Sequence, residues 1–200
     1  WLKHTAAKRP GLWRDRKWNC PNAPVVGVCW YEADAFCRWL TIARNNGFTY
    51  RLPGETEWEA AATGRKGRKY PWGNRWKADT CNIKDSGLKS TSSVGIFPGG
   101  NTPEGLSDMA GNVWEWTATD YHAGSQRNDF HFDEAVQKLW DERNFDEYIS
   151  SLEEKDREIP ALRGGSWYFN RELARCAARF DFHPLNRDGL VGFRCARTEK

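Results

Sequence analysis

Twelve tryptophans against a single methionine limit what this 200-residue chain can build. An indole has a large flat body and one N–H donor, so it suits loop-rich cores and binding surfaces better than the uniform interior of a helical bundle. Eighteen glycines and nine prolines, spread along the whole chain, add frequent turns. Long regular elements do not fit that punctuation. The length suits one domain over residues 1–200. We therefore expect a compact, irregular domain of many turns and short elements.

Local patterns place those elements. Trp30, Ala33, Cys37 and Leu40 recur on one face of a helix predicted over Trp30–Arg44, and Asn45-Asn46-Gly47 ends it with residues tolerant of left-handed backbone. Phe48–Leu52 reads as a strand stopped by Pro53. A second helix is predicted from about Glu55 to Ala62, with Thr56 as N-cap, Glu59 three residues on, and Gly64 at its far end. Residues 65–107 are dense in turns. Further strands are predicted at Val113–Thr117, Ala161–Trp167, Arg175–Phe180 and Val191–Arg197, with turns at Pro184 and Asp188-Gly189. Residues 1–23 read as an N-terminal loop and 162–197 as a C-terminal segment.

Charge excludes some classes. The formal net charge of +3 is too small to indicate nucleic acid, and it is unevenly spread. Residues 120–160 hold twelve Asp/Glu against five Lys/Arg, a net of −7, which leaves +10 elsewhere. That stretch reads as a solvated acidic insert, with one amphipathic helix predicted on Phe132, Val136, Leu139, Trp140 and Phe145. No window approaches the roughly 18 apolar residues that span a bilayer, and no signal peptide is visible. The six cysteines, at 20, 29, 37, 81, 176 and 195, form no C-x-x-C pair, so a zinc site is not expected. His4, His122, His131 and His183 are scattered, and no glycine-rich phosphate loop occurs. Nothing here assigns a compartment.

The ordered motifs are more specific. Pro24-Val25-Val26-Gly27-Val28 leads into Trp30-Tyr31-Glu32-Ala33 and Cys37-Arg38-Trp39-Leu40. Arg51-Leu52-Pro53, Glu57-Trp58-Glu59 and Tyr70-Pro71-Trp72-Gly73 follow. Then come Gly105 to Trp116 (GLSDMAGNVWEW), Leu162-Arg163-Gly164-Gly165-Ser166-Trp167 and Val191-Gly192-Phe193-Arg194. In this order and spacing, over residues 24–197, the set resembles the formylglycine-generating-enzyme (sulfatase-modifying factor) family. The resemblance implies a C-type-lectin-like α+β fold of low regular secondary structure, with two main helices and short strands, and a disulfide between Cys37 and Cys195. It also implies structural calcium, held by Asp108, Glu115 and the main-chain oxygens of Gly111 and Val113, and a second ion at Asn82 and the Ile83 carbonyl. Oxygen donors from turns are what a hard cation needs. Each motif also has a plainer reading: Trp72, Trp114 and Trp116 as core aromatics, and Arg51 and Arg163 as loop-holding forks.

Enzymes of that family carry two cysteines just after the Gly-Gly-Ser, whose thiolates bind copper; soft ligands hold Cu(I). Here Phe169 stands where the first would be, the segment is a few residues shorter, and no thiol replaces the second. No copper and no catalytic residue are expected. Between framework-like positions lie Tyr168, Phe169, Asn170, Glu172, Leu173, Phe180, Asp181, Phe182, His183, Leu185, Asn186, Asp188, Gly189 and Leu190. Tyr, Phe, Asp, His, Leu and Gly are all reachable from an Asn codon by changing only its adenines. That pattern resembles the variable segment of proteins diversified by retroelements, which implies a ligand-binding surface facing a protein. Tyr168, Phe169, Phe180, Phe182 and His183 would be anchors, with Asn170, Asp181, Asn186 and Asp188 as adaptable contacts. Three alternatives stay open: Phe169, Phe180 and Phe182 as strand core, a formylglycine-generating oxidoreductase acting on sulfatase cysteines, and an enzyme-derived structural domain within a larger protein.

Overall fold

The computed structural model describes residues 9–122 and 159–200. Residues 1–8 of the N-terminal loop, and most of the acidic insert with its predicted helix, lie outside the described residues. Helix α1 runs Trp30–Arg44 as the apolar spacing requires, burying Trp30, Tyr31, Ala33 and Cys37. The Cys29 N–H donates to the Glu32 carboxylate at 2.8 Å, which satisfies one orphan donor of the first turn. Asn45 ends the helix at φ 40°, in the left-handed region. Strand β1, Phe48–Arg51, then pairs antiparallel with the last strand, β6 (Ala196–Glu199), forming a two-stranded sheet.

Helix α2 spans Glu55–Thr63. Its cap is Gly54 rather than Thr56: the Glu57 carboxylate accepts the Gly54 N–H at 3.2 Å, and Glu59 is drawn away to Arg163. A four-stranded sheet has the order β4 (Arg179–Asp181), β3 (Pro160–Arg163), β2 (Trp114–Asp120), β5 (Val191–Gly192). All its pairs are antiparallel except β2–β5. The strand predicted to run to Trp167 stops at Arg163, because Gly164 and Gly165 take φ of 100° and 77°. Likewise the strand predicted at Arg175–Phe180 begins only at Arg179, after a run of turns.

Buried indoles close this short-element fold, and two of them tie it together through their N–H groups. Trp30 Nε1 donates to the Thr117 carbonyl at 2.8 Å and Trp116 Nε1 to that of Val28 at 3.1 Å, tying the start of α1 to β2. Trp114 and Trp116 are fully buried with Leu52, Leu162 and Val191 in the main core. Trp58, Met109 and Cys176 form a second cluster under α2, and Trp72 and Trp76 cover a third around Cys81 and Ile83. Among the described residues, no helix is long and apolar enough to cross a membrane.

Candidate functional site

The C-terminal segment supplies the edge strands β4 and β5 of the four-stranded sheet, and its aromatics form a continuous ledge. Ring centroids step from Trp167 to Tyr168 at 5.7 Å, to Phe169 at 5.5 Å, to Phe180 at 5.6 Å and to Phe182 at 5.2 Å. Beneath them Trp114 stacks on Phe180 at 5.3 Å and meets Phe169 edge-on at 6.0 Å. Trp18, from the N-terminal loop, extends the row beyond Trp167 at 5.8 Å, and Lys17 Nζ lies 4.5 Å from its ring. Neither Trp18 nor Lys17 is a residue the sequence points to. No local pattern links residue 18 to residue 167.

The predicted contact residues separate into layers. Tyr168, 57% exposed, stands outermost, with Asn170 and Glu172 also exposed. Asp181, His183, Asn186 and Asp188 are half-buried. Phe169, Leu173, Phe180, Phe182, Leu185 and Leu190 pack against the main core while keeping part of their surface open. They are therefore core and ledge at once. Gly189 is buried beneath the Trp18 ring, where an added Cβ would come within 2.8 Å of it, so it supports the ledge rather than meeting a ligand. Asp188 Oδ1 is occupied by the Leu190 N–H at 2.9 Å, and Trp167 Nε1 by the Gly189 carbonyl at 3.1 Å.

Ion pairs hold this face in place. Glu55, buried at the start of α2, forms an ion pair with Arg163, whose Nε lies 2.8 Å away, and accepts from Arg179 at 2.5 and 2.8 Å. Arg163 also reaches Glu59 and the carbonyls of Cys176 and Ala178. Since Arg163 lies on β3 and Arg179 on β4, the cluster fixes the edge strand that carries Phe180. Arg51 forks onto Glu57 at 2.6 and 3.1 Å; that hydrogen bonding holds the Glu57 carboxyl below its ordinary range despite partial burial. Both arginines act as the loop-holding forks expected of them.

The donor set implied for calcium does not fit that ion. Both Glu115 oxygens face Arg194, at 2.5 and 2.6 Å, and one also accepts from Trp58 Nε1 at 2.6 Å. Burial works against the Arg194 charge, yet the Glu115 carboxylate beside it raises its pKa above the ordinary arginine value. Asp108 accepts the Gly95 N–H at 2.7 Å, and burial pushes its carboxyl pKa up. A dication seeking six to eight open oxygens would meet a guanidinium instead. Of the four carboxylate oxygens in the implied set, only Asp108 Oδ1 accepts no hydrogen bond among the described residues, which leaves too few open oxygens with the Gly111 and Val113 carbonyls for such an ion. The Asn82 side chain is committed to Ser86 and Ser90, and the Ile83 carbonyl to the Ser86 N–H.

The thiols are placed as unevenly as the charges. Cys176 and Cys81 are buried, and burial pushes each to about 12. Cys37 and Cys195 come together but stand as free thiols, their sulfurs 3.6 Å apart. Hydrogen bonding between the two raises the Cys37 pKa, with burial adding to it, and lowers that of Cys195. Phe169, which the family resemblance sets where the first cysteine would stand, accepts the Lys84 N–H at its carbonyl at 2.9 Å.

Among the described residues, two small sheets, two α-helices and extensive loops make up a C-type-lectin-like α+β domain. The same fold is seen in Treponema denticola variable protein 1, at a TM-score of 0.64 and 22% identity, covering 90% of this chain and 72% of that one. In sequence, residues 3–199 match the sulfatase-modifying factor enzyme 1-like domain, and the chain belongs to that family. It is 33% identical over 189 residues to inactive C-alpha-formylglycine-generating enzyme 2 of Bos taurus, covering 86% of this chain and 50% of that protein. It is also 34% identical over 200 residues to the formylglycine-generating enzyme of Streptomyces coelicolor, covering 88% and 53%. The chain thus spans about half the length of these relatives.

Proposed function

We propose that this domain is a non-catalytic ligand-binding module that meets a protein through the ledge of residues 168–190. The observation that carries the reading is Phe169. Where the resemblance puts a copper-binding thiolate, a phenyl ring packs between Tyr168 and Phe180, and a phenyl ring ligates no copper at any pH. Half-open aromatics on a rigid support, flanked by small polar side chains, give contact area at low entropic cost. A relative whose name marks it as inactive supports the same direction, as does a fold neighbour named as a variable protein. The adenine-reachable residues of the segment favour diversification by a retroelement. A near-identical template repeat and a reverse transcriptase beside the gene would be its genomic signature.

The catalytic alternative has a direct assay. The protein is incubated with copper, oxygen and a cysteine-containing sulfatase peptide, and the peptide is weighed by mass spectrometry. We expect an unchanged mass. Conversion to the formylglycine product would overturn the non-catalytic reading.

A further inference from the structure

Beyond Tyr168 the segment turns at residues 171–174 and borders a second feature, a groove of about 440 Å3 lined by Lys69, Tyr70, Asn74, Trp76 and Arg171 with Glu172 and Arg175. Its two walls come from distant parts of the chain. The Cys176 N–H donates to the Lys69 carbonyl at 2.9 Å, which clamps them together. Gly165 secures the turn from below: it sits at φ 77° with the Leu173 carbonyl 2.6 Å from where a Cβ would stand.

Three cations face this groove against one carboxylate. The carboxylate is partly engaged, since Arg171 Nε reaches Glu172 Oε1 at 3.3 Å. Arg175 is anchored through Nε to the Glu172 carbonyl at 2.7 Å, which orients its guanidinium plane. Among the described residues, the terminal nitrogens of Arg171 and Arg175 have no acceptor, and Lys69 Nζ has no ion-pair partner but lies 5.6 Å from the Tyr70 ring. The floor is aromatic: Tyr70 stacks on Trp72 at 5.3 Å, and Trp76 meets both edge-on at 5.3 and 5.6 Å. A guanidinium fork presents paired donors matched to a carboxylate, and the rings lower the local dielectric around it. Arg171, Glu172 and Arg175 also continue directly from Tyr168 and Asn170, so a ligand crossing the ledge reaches the groove next.

We infer that this groove takes an acidic peptide segment, its carboxylates on Arg171, Arg175 and Lys69 and an aromatic side chain against Trp76. This inference rests on the protein-binding reading of residues 168–190 and names the chemistry of the ligand. A chain carrying Glu or Asp at alternate positions would set its charges against the cations of both walls.

The test uses a fluorescein-labelled dodecapeptide of alternating Glu and Gly with one central Tyr, titrated against the whole chain by fluorescence anisotropy. Versions with Gln or Lys in place of Glu serve as comparisons. We expect the acidic peptide to bind, its affinity to fall as salt rises, and the Gln version to bind at least about tenfold more weakly. Arg171→Ser with Arg175→Ser should cost about tenfold or more, whereas Arg44→Ser, which removes an exposed cation at the end of α1 outside the groove lining, should change little. Lys69→Glu gives the same readout from the opposite wall if the double variant misfolds. Equal binding of the Gln version, or undiminished binding to the folded Arg171/Arg175 variant, would overturn the inference. So would the absence of binding by the acidic peptide, which leaves the ledge itself to its own test.

Discussion

Removing the Glu55 carboxylate separates a stapled edge strand from a merely adjacent one. In Glu55→Ala, Arg163, with a side chain only 4% exposed, loses one of its two acid partners. Arg179, at 32%, loses its acid partner but can reach water. Breaking a buried pair by deleting one member costs about 3–5 kcal/mol. Arg163 retains Glu59 and two carbonyls, so the cost belongs near the lower limit, about 3 kcal/mol. For a chain this long, each kcal/mol moves the melting temperature by roughly 2–4 °C, giving a fall of roughly 6–12 °C. Thermal unfolding followed by far-UV circular dichroism reads it. Near-UV circular dichroism should weaken as well, because β4 carries Phe180 against Trp114. Glu59→Ala is the control: that side chain is 37% exposed and should cost about 1 kcal/mol or less. A fall under 2 °C for Glu55→Ala, or equal falls for both variants, would refute the reasoning.

Other perturbations probe the turn, the metal and the thiols. Gly165→Ala should destabilise by at least about 2 kcal/mol in urea unfolding, because a left-handed φ and a close carbonyl both oppose a Cβ; a neutral effect would contradict that backbone. Removing calcium with EGTA should shift the melting temperature by less than about 1 °C, since Arg194 already balances Glu115; a larger drop would restore the metal. Iodoacetamide should label Cys20 and Cys195 in the native protein near neutral pH, while Cys29, Cys81 and Cys176, each pushed to about 12 by burial, stay protonated and unlabelled. Raising pH should speed labelling of Cys195 first, since its pKa is lowered, and peptide mapping identifies the sites. Mild oxidation should join Cys37 to Cys195 in a bridge that Cys37→Ser prevents, read as a loss of two hydrogens by intact mass.

Local patterns carried the helices further than the strands. The face of Trp30, Ala33 and Cys37 and the stop at Asn45 fix α1, because each depends on neighbours a few residues away. Leu40, on the same predicted face, ends half-buried because the helix outruns the core it packs on. The cap of α2 falls on Gly54 and not on Thr56, since Glu59 is claimed by Arg163, a partner 104 residues distant. The strands around Gly164-Gly165 and residues 171–178 were misplaced for a related reason. Apolar alternation survives where the backbone turns, and only tertiary packing shows that the chain has left the sheet.

The site was legible as a segment but not as a surface. Tyr168 and Asn170 face solvent as their odd placement between framework residues suggests. Phe169, Phe180 and Phe182 merge two readings that sequence alone keeps apart, being packed on Trp114 below and open above. Gly189, grouped with the contacts, lies under Trp18 instead. The cationic groove leaves no mark in the sequence, because Lys69 and Arg175 are brought together by a hydrogen bond at Cys176.

Whether the segment is a binding face that tolerates change is settled most directly by randomising Tyr168, Asn170, Asp181, His183 and Asn186 together and displaying the library on yeast. These side chains are exposed or half-exposed, so their identity should matter little to folding. We expect most members to display as well as the parent, and sorting against unrelated protein antigens to yield binders. Collapse of display across the library would contradict the binding-face reading, since those positions would then be holding the fold together.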